Sequence, residues 1–134
     1  MSRKYKFAEK DGAYFVSFAT VYWIDVFTRI DYFDIIIESL DYCRKNKGME
    51  IYGYCIMPSH IHLIFRSSLG DPSGLMRDFK GFTSRKILKA IAENPQESRK
   101  DWYFGCLKKL ERKIVMLKKV NFGNKTTNLL KFGL

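Results

Sequence analysis

The chain has 134 residues and 15.8 kDa, room for one domain, and its 46% hydrophobic and 16% aromatic content excludes general disorder. No apolar run reaches the ~18 residues of a membrane span. Cys43, Cys55 and Cys106 form neither a C-x-x-C pair nor an even set, so a cytoplasmic protein with reduced thiols and no signal peptide is expected.

The net charge of +10 is uneven: residues 1–70 carry nine Lys/Arg against eight Asp/Glu, and residues 71–134 carry 15 against 6. A basic half on an aromatic-rich domain points to a polyanion, nucleic acid first. Alternation in AYFVSFATV, residues 13–21, predicts a first strand. Residues 31–47 predict a helix with Phe33, Ile36, Ile37, Leu40 and Cys43 on one stripe, Lys45 and Lys47 in the last turn and Gly48 as the stop. MEIYGYCIM (49–57), a turn at Pro58-Ser59 and HIHLIFRSS (60–68) read as a β-hairpin. In its first strand Tyr52, Tyr54 and Ile56 share a face by parity, either for stacking bases or for the core. Asp71 and Pro72 read as N-cap and first residue of a second helix, to about Ala92. Its inward set is Leu75, Phe79, Phe82, Leu88 and Ile91, and its outer face is basic, with Arg77, Lys80, Arg85, Lys86 and Lys89. This β-α-β-β-α order predicts an α+β, ferredoxin-like (β-α-β-β-α-β) sandwich, an antiparallel sheet with helices on one face and no evident closing strand.

The chain's two histidines, His60 and His62, stand two apart on a predicted strand and so point to one face. With Ile61, Leu63 and Phe65 turned towards the helices, that face is the open one. Two imidazoles with a third oxygen ligand can hold a divalent cation beside a phosphate. A hydrogen-bonded strand pair is the plain alternative. Glu93, Glu97 and Asp101 are available as a third ligand, and no spacing singles one out.

YGYCIMPSHIHLIF (52–65), with its Met57-Pro58-Ser59-His60-Ile61-His62 core, resembles the HUH motif of single-tyrosine transposases of the REP-associated and insertion-sequence type. The resemblance extends to YFVSFAT (14–20) and to LMRDFKGFTSRKI (75–87), whose Phe79, Lys80 and Thr83 are similar to the family's Phe-Lys-x-x-Thr helix. It implies a transposase that cleaves and rejoins single-stranded DNA. His60 and His62 would bind Mg²⁺ or Mn²⁺, a tyrosine would attack and keep the 5′ phosphate, and no nucleotide cofactor would be needed. It also implies a homodimer acting on DNA hairpins. Lys80, Thr83, Arg85, Lys86 and Lys89 are candidate DNA contacts, and Arg66 shares strand parity with the histidines and could reach phosphate.

The family continues with a Trp-Gln-containing closing strand and a nucleophile-bearing helix. Neither is recognisable after Trp102, and Tyr103, the one tyrosine beyond the second helix, stands as the only substitute nucleophile. One legal choice of codons for FGNKTTNLLKFGL (122–134) reads Trp-Gln-Gln-Asn-Asn-Gln-Ser-Ile-Glu-Ile-Trp-Ser from its third base, similar to the missing strand. Residues 1–98 are therefore expected to form the transposase-like domain. Residues 99–134, with 10 Lys/Arg against 2 Asp/Glu, would be a basic tail out of frame relative to the family, leaving a sheet edge unpaired. Taken at face value, Tyr103, Leu107, Leu110, Ile114 and Leu117 recur at helical spacing. Two readings compete with catalysis: a non-catalytic DNA-hairpin-binding remnant, and an RNA-binding ferredoxin-like module.

Overall fold

The computed structural model describes residues 7, 9–20, 24–103, 117–119 and 131–132. Strand β1 (Ala13–Thr20) leads through a short 3₁₀ turn (Val26–Thr28) to helix α1 (Ile30–Asn46). A hairpin of β2 (Met49–Ile56) and β3 (His60–Ser67) follows, and then helix α2 (Pro72–Glu93). Two short strands, β4 (Leu117–Lys119) and β5 (Lys131–Phe132), come from the tail.

The sheet order is β2-β3-β1-β4 with β5 also on β1, and every pairing is antiparallel. Both hairpin strands lie on one side of β1 and the tail pieces on the other, which is the ferredoxin-like arrangement of an α+β sandwich. The closing position, for which the sequence shows no evident strand, is thus occupied. Leu117–Lys119 pairs with Phe18–Thr20, and Lys131–Phe132 with Ala13–Tyr14. Of the tail assigned to residues 99–134, the rest beyond Tyr103 lies outside the described residues, including Leu107, Leu110 and Ile114 of the alternative helix.

One core lies between sheet and helices. Val16 and Phe18 of β1 and Ile61, Leu63 and Phe65 of β3 meet Ile36 and Leu40 of α1 and Phe79, Ile87 and Ile91 of α2. Helix α1 ends as expected at Gly48, whose φ of +69° suits glycine, and whose carbonyl accepts from the Ser68 backbone N–H at 2.8 Å. Helix α2 begins with Asp71 accepting from the Gly74 backbone N–H at 3.0 Å, followed by Pro72.

The helix faces differ from the expected ones at single positions. Tyr32 and Ser39 join Ile36, Leu40 and Cys43 in the α1 core stripe, while Phe33 and Ile37 are half-buried. In α2 Thr83 and Ile87 take the buried places expected for Phe82 and Leu88, because Phe82 turns to stack on Tyr42 of α1 at 5.5 Å. The hairpin also departs from simple alternation. A β-bulge at Tyr52 puts two residues opposite one between Ile51 and Gly53. Tyr54 and Ile56 therefore face the helices opposite Leu63 and Ile61, whereas the Tyr52 hydroxyl donates to Glu50 at 3.1 Å and the three do not share a face.

Candidate functional site

The pleat of β3 turns Ile61, Leu63 and Phe65 inward and leaves His60 and His62 half-buried on the opposite face. Register places Ala19 opposite His60 and Ser17 opposite His62, so the neighbouring positions on β1 are small. The two imidazole centroids are 4.9 Å apart and nearly perpendicular, at 84°. Phe15 stacks on His62 at 5.4 Å with 19° between the planes, limiting how that ring can turn.

Each imidazole also meets a hydroxyl. Ser17 Oγ lies 2.8 Å from His62 Nδ1, and Ser59 Oγ lies 3.3 Å from His60 Nδ1. When Nδ1–H donates to the hydroxyl, the lone pair lies on Nε2, the tautomer found in metal-bound histidines. Burial first, and then the neighbouring His60, lower the His62 pKa, which favours the neutral imidazole that a cation needs. The turn before His60 is held by the Met57 backbone N–H donating to the His60 carbonyl at 2.8 Å. The Thr20 backbone N–H and hydroxyl donate to the Ser59 carbonyl, at 2.9 and 3.2 Å. The pair is therefore positioned by backbone on both sides. Its chemistry fits a divalent cation with oxygen ligands completing the sphere.

Among the described residues no group of three His, Cys, Asp or Glu side chains converges as a metal site. Glu97 is buried and engaged elsewhere: it accepts from the Tyr32 hydroxyl at 2.8 Å and the Arg99 backbone N–H at 3.1 Å, and pairs with Arg29 at 3.0 Å. Glu93 is exposed and pairs with Lys89 at 4.0 Å, and Asp101 is exposed.

Arg66 shares the histidine face, but its Nη1 donates to Glu50 at 2.9 Å and its Nε to the Asp11 carbonyl at 2.8 Å. It staples β2 and the residue 9–12 loop to β3, a structural role beside the expected phosphate contact. Thr83 is fully buried in α2, its hydroxyl without a hydrogen-bond partner among the described residues, so it lies inside the helical layer and not on the basic surface. Lys80 is half-buried with its Nζ 6.0 Å from the Phe18 ring, and burial lowers its pKa. It lies along the helix–sheet boundary, off the outer basic face. Arg85 and Lys89 are exposed there, and Lys86 reaches across to Glu38 of α1 at 3.3 Å and sits over Phe82 at 5.2 Å. These cations belong to the helical layer, and the sheet separates them from His60 and His62.

Tyr103 is fully buried beside the Arg99 guanidinium, and burial raises its pKa. The structure therefore places its hydroxyl oxygen in the core and away from the His60–His62 face. Ser17, Phe15 and Ser59 were not among the expected site residues. The signal for Ser17 is its place in the small-residue row of β1, which only the register aligns with His62.

The family model described as "Transposase IS200 like" matches residues 11–105. No curated protein matches the chain by sequence. Among solved structures, a REP-associated tyrosine transposase bound to a REP hairpin is similar, with a TM-score of 0.55 and 18% identity over 64% of this chain. The chain spans about half of that protein, 53%. A candidate transposase from Deinococcus radiodurans is similar at a TM-score of 0.52 and 18% identity, over 94% of this chain and 88% of that one. At these identities the two structures bear on the fold.

Proposed function

The chain belongs to the IS200-like transposase family, and from that premise we propose that its histidine face serves metal-dependent cleavage and rejoining of single-stranded DNA during transposition. The observation that carries this is the His60–His62 pair, two imidazoles on one sheet face, each with a hydroxyl at Nδ1. These residues would hold Mg²⁺ or Mn²⁺, which polarises a scissile phosphate when bound. Ser17 and Ser59 orient the rings, and the backbone of the 57–59 turn fixes where His60 stands. A tyrosine oxygen would form the bond to phosphorus as the 3′ oxygen leaves with a proton, and the phosphotyrosine preserves the bond energy for rejoining without a nucleotide cofactor.

The partner is single-stranded DNA bearing a hairpin, and the assembly proposed is a cytoplasmic homodimer. Arg85, Lys86 and Lys89 would contact the phosphate backbone from the helical layer. The burial of Tyr103 favours a second reading, in which this chain binds hairpins without cutting them.

Both readings are tested by incubating the native chain, His60→Ala and His62→Ala with a labelled hairpin-bearing strand and Mn²⁺. Cleavage is expected to give a covalent protein–DNA adduct, reduced at least tenfold to a hundredfold in each variant with hairpin affinity retained. Tight binding with no adduct in any of the three would establish the hairpin-binding reading. Adduct formation untouched by the substitutions would refute the histidine site, and a preference for RNA would refute both readings.

A further inference from the structure

Trp102 is 50% exposed although its neighbour Tyr103 is completely buried. The two rings lie 5.5 Å apart at 53°, and the Arg99 guanidinium sits 5.9 Å from the Trp102 ring and 4.9 Å from that of Tyr103. Arg99 is itself fixed: Nη1 donates to Asp25 at 2.8 Å, and its backbone N–H donates to Glu97. The Tyr103 backbone N–H returns to the Arg99 carbonyl at 2.9 Å, closing a helical turn on which Trp102 rides. An indole held this way loses little conformational freedom on contact, which is what a recognition side chain requires.

Its place in the fold is specific. Asp25 lies just before the 3₁₀ turn, and in that turn the Phe27 backbone N–H donates to the Pro58 carbonyl at 3.0 Å. Pro58 belongs to the turn that delivers His60. One loop therefore connects the Trp102 support to the histidine hairpin.

The charges indicate the ligand. Arg29 and Arg99 are paired with Asp25 and Glu97, so neither guanidinium is left over for phosphate, and what the ledge presents is an aromatic face. We infer that Trp102, backed by Arg99, is a stacking site for one unpaired nucleobase of the strand that enters the histidine face. Every base has a π-face, so the site tolerates sequence. The inference rests on the DNA-cleaving reading above and adds to it how the unpaired part of the substrate is held.

The experiment uses two probes, a blunt DNA hairpin and the same hairpin with a short unpaired flank, titrated against the native chain, Trp102→Ala and Trp102→Phe at several salt concentrations. The expected result is a loss of about tenfold in affinity for the flanked probe in Trp102→Ala. The blunt probe should be unchanged, Trp102→Phe should retain most of the affinity, and the salt slope should stay the same because no phosphate contact is lost. The flanked probe should also quench tryptophan fluorescence in the native chain more than in Trp102→Phe, whose remaining tryptophan is Trp23. Equal losses on both probes, no loss on the flanked one, or a shallower salt slope would each overturn the inference. If the native chain binds neither probe, the DNA reading fails first and the stacking site with it.

Discussion

The Tyr103 hydroxyl sits in the core with no well-formed hydrogen bond among the described residues, an arrangement that costs stability. Tyr103→Phe removes that oxygen and keeps the ring under Arg99. Its unfolding free energy is expected to match or exceed that of the native chain, by up to about 1 kcal/mol in denaturant titration. Any covalent DNA adduct should persist in this variant, and its disappearance would return Tyr103 to the reaction. The histidine pair was legible because a period of two on a strand fixes a shared face whatever surrounds it. Ser17 was not, because its meaning depends on which residue of β3 lies opposite. Arg66 shows the same limit: parity correctly places it on the histidine face but says nothing of Glu50, brought beside it by hairpin register.

At the level of elements, punctuation read best. Asp71 with Pro72 opened α2 and Gly48 closed α1, since both signals are local chemistry. Asp71→Ala should cost about 1 kcal/mol through loss of the cap to the Gly74 N–H, read as a lower denaturant midpoint with an unchanged slope. A midpoint unaltered by the substitution would show that the cap contributes nothing. Helix faces read less well, off by one residue at single places, because Phe82 stacks on Tyr42 of α1 while the smaller Thr83 takes the buried position beside it. The bulge at Tyr52 was invisible to alternation, which assumes that no residue is inserted.

For the whole molecule, the segment after α2 is fastened to the start of α1 by a buried carboxylate. Burial pushes the Glu97 pKa up, but the Arg99 backbone N–H, the Tyr32 hydroxyl and the Arg29 and Arg99 charges outweigh it and hold the group below its ordinary value of 4.5. The unfolded chain then binds more protons as acid is added, so this stabilisation is full above about pH 4.5 and drains away as pH falls through the folded-state value. Glu97→Gln should lose about 2 kcal/mol at neutral pH, less than a fully enclosed pair because Arg29 is partly exposed. It should also flatten the acid limb of a stability–pH curve, and an unchanged limb would show that another carboxylate governs acid unfolding. None of this network was legible, because Glu97 and Tyr32 are 65 residues apart and only the packed fold makes them neighbours.

The two sides of β1 differ in when they can close. Its inner partner, β3, is some 50 residues downstream, whereas the outer edge waits for residues 117–119 and 131–132, roughly 100 or more further along. At ~5–20 residues per second, synthesis leaves that edge bare for about 5–20 s after β1 emerges. During that interval β1 can accept any passing strand, including one from another nascent copy, so the yield of folded protein should depend on expression rate and temperature as much as on final stability.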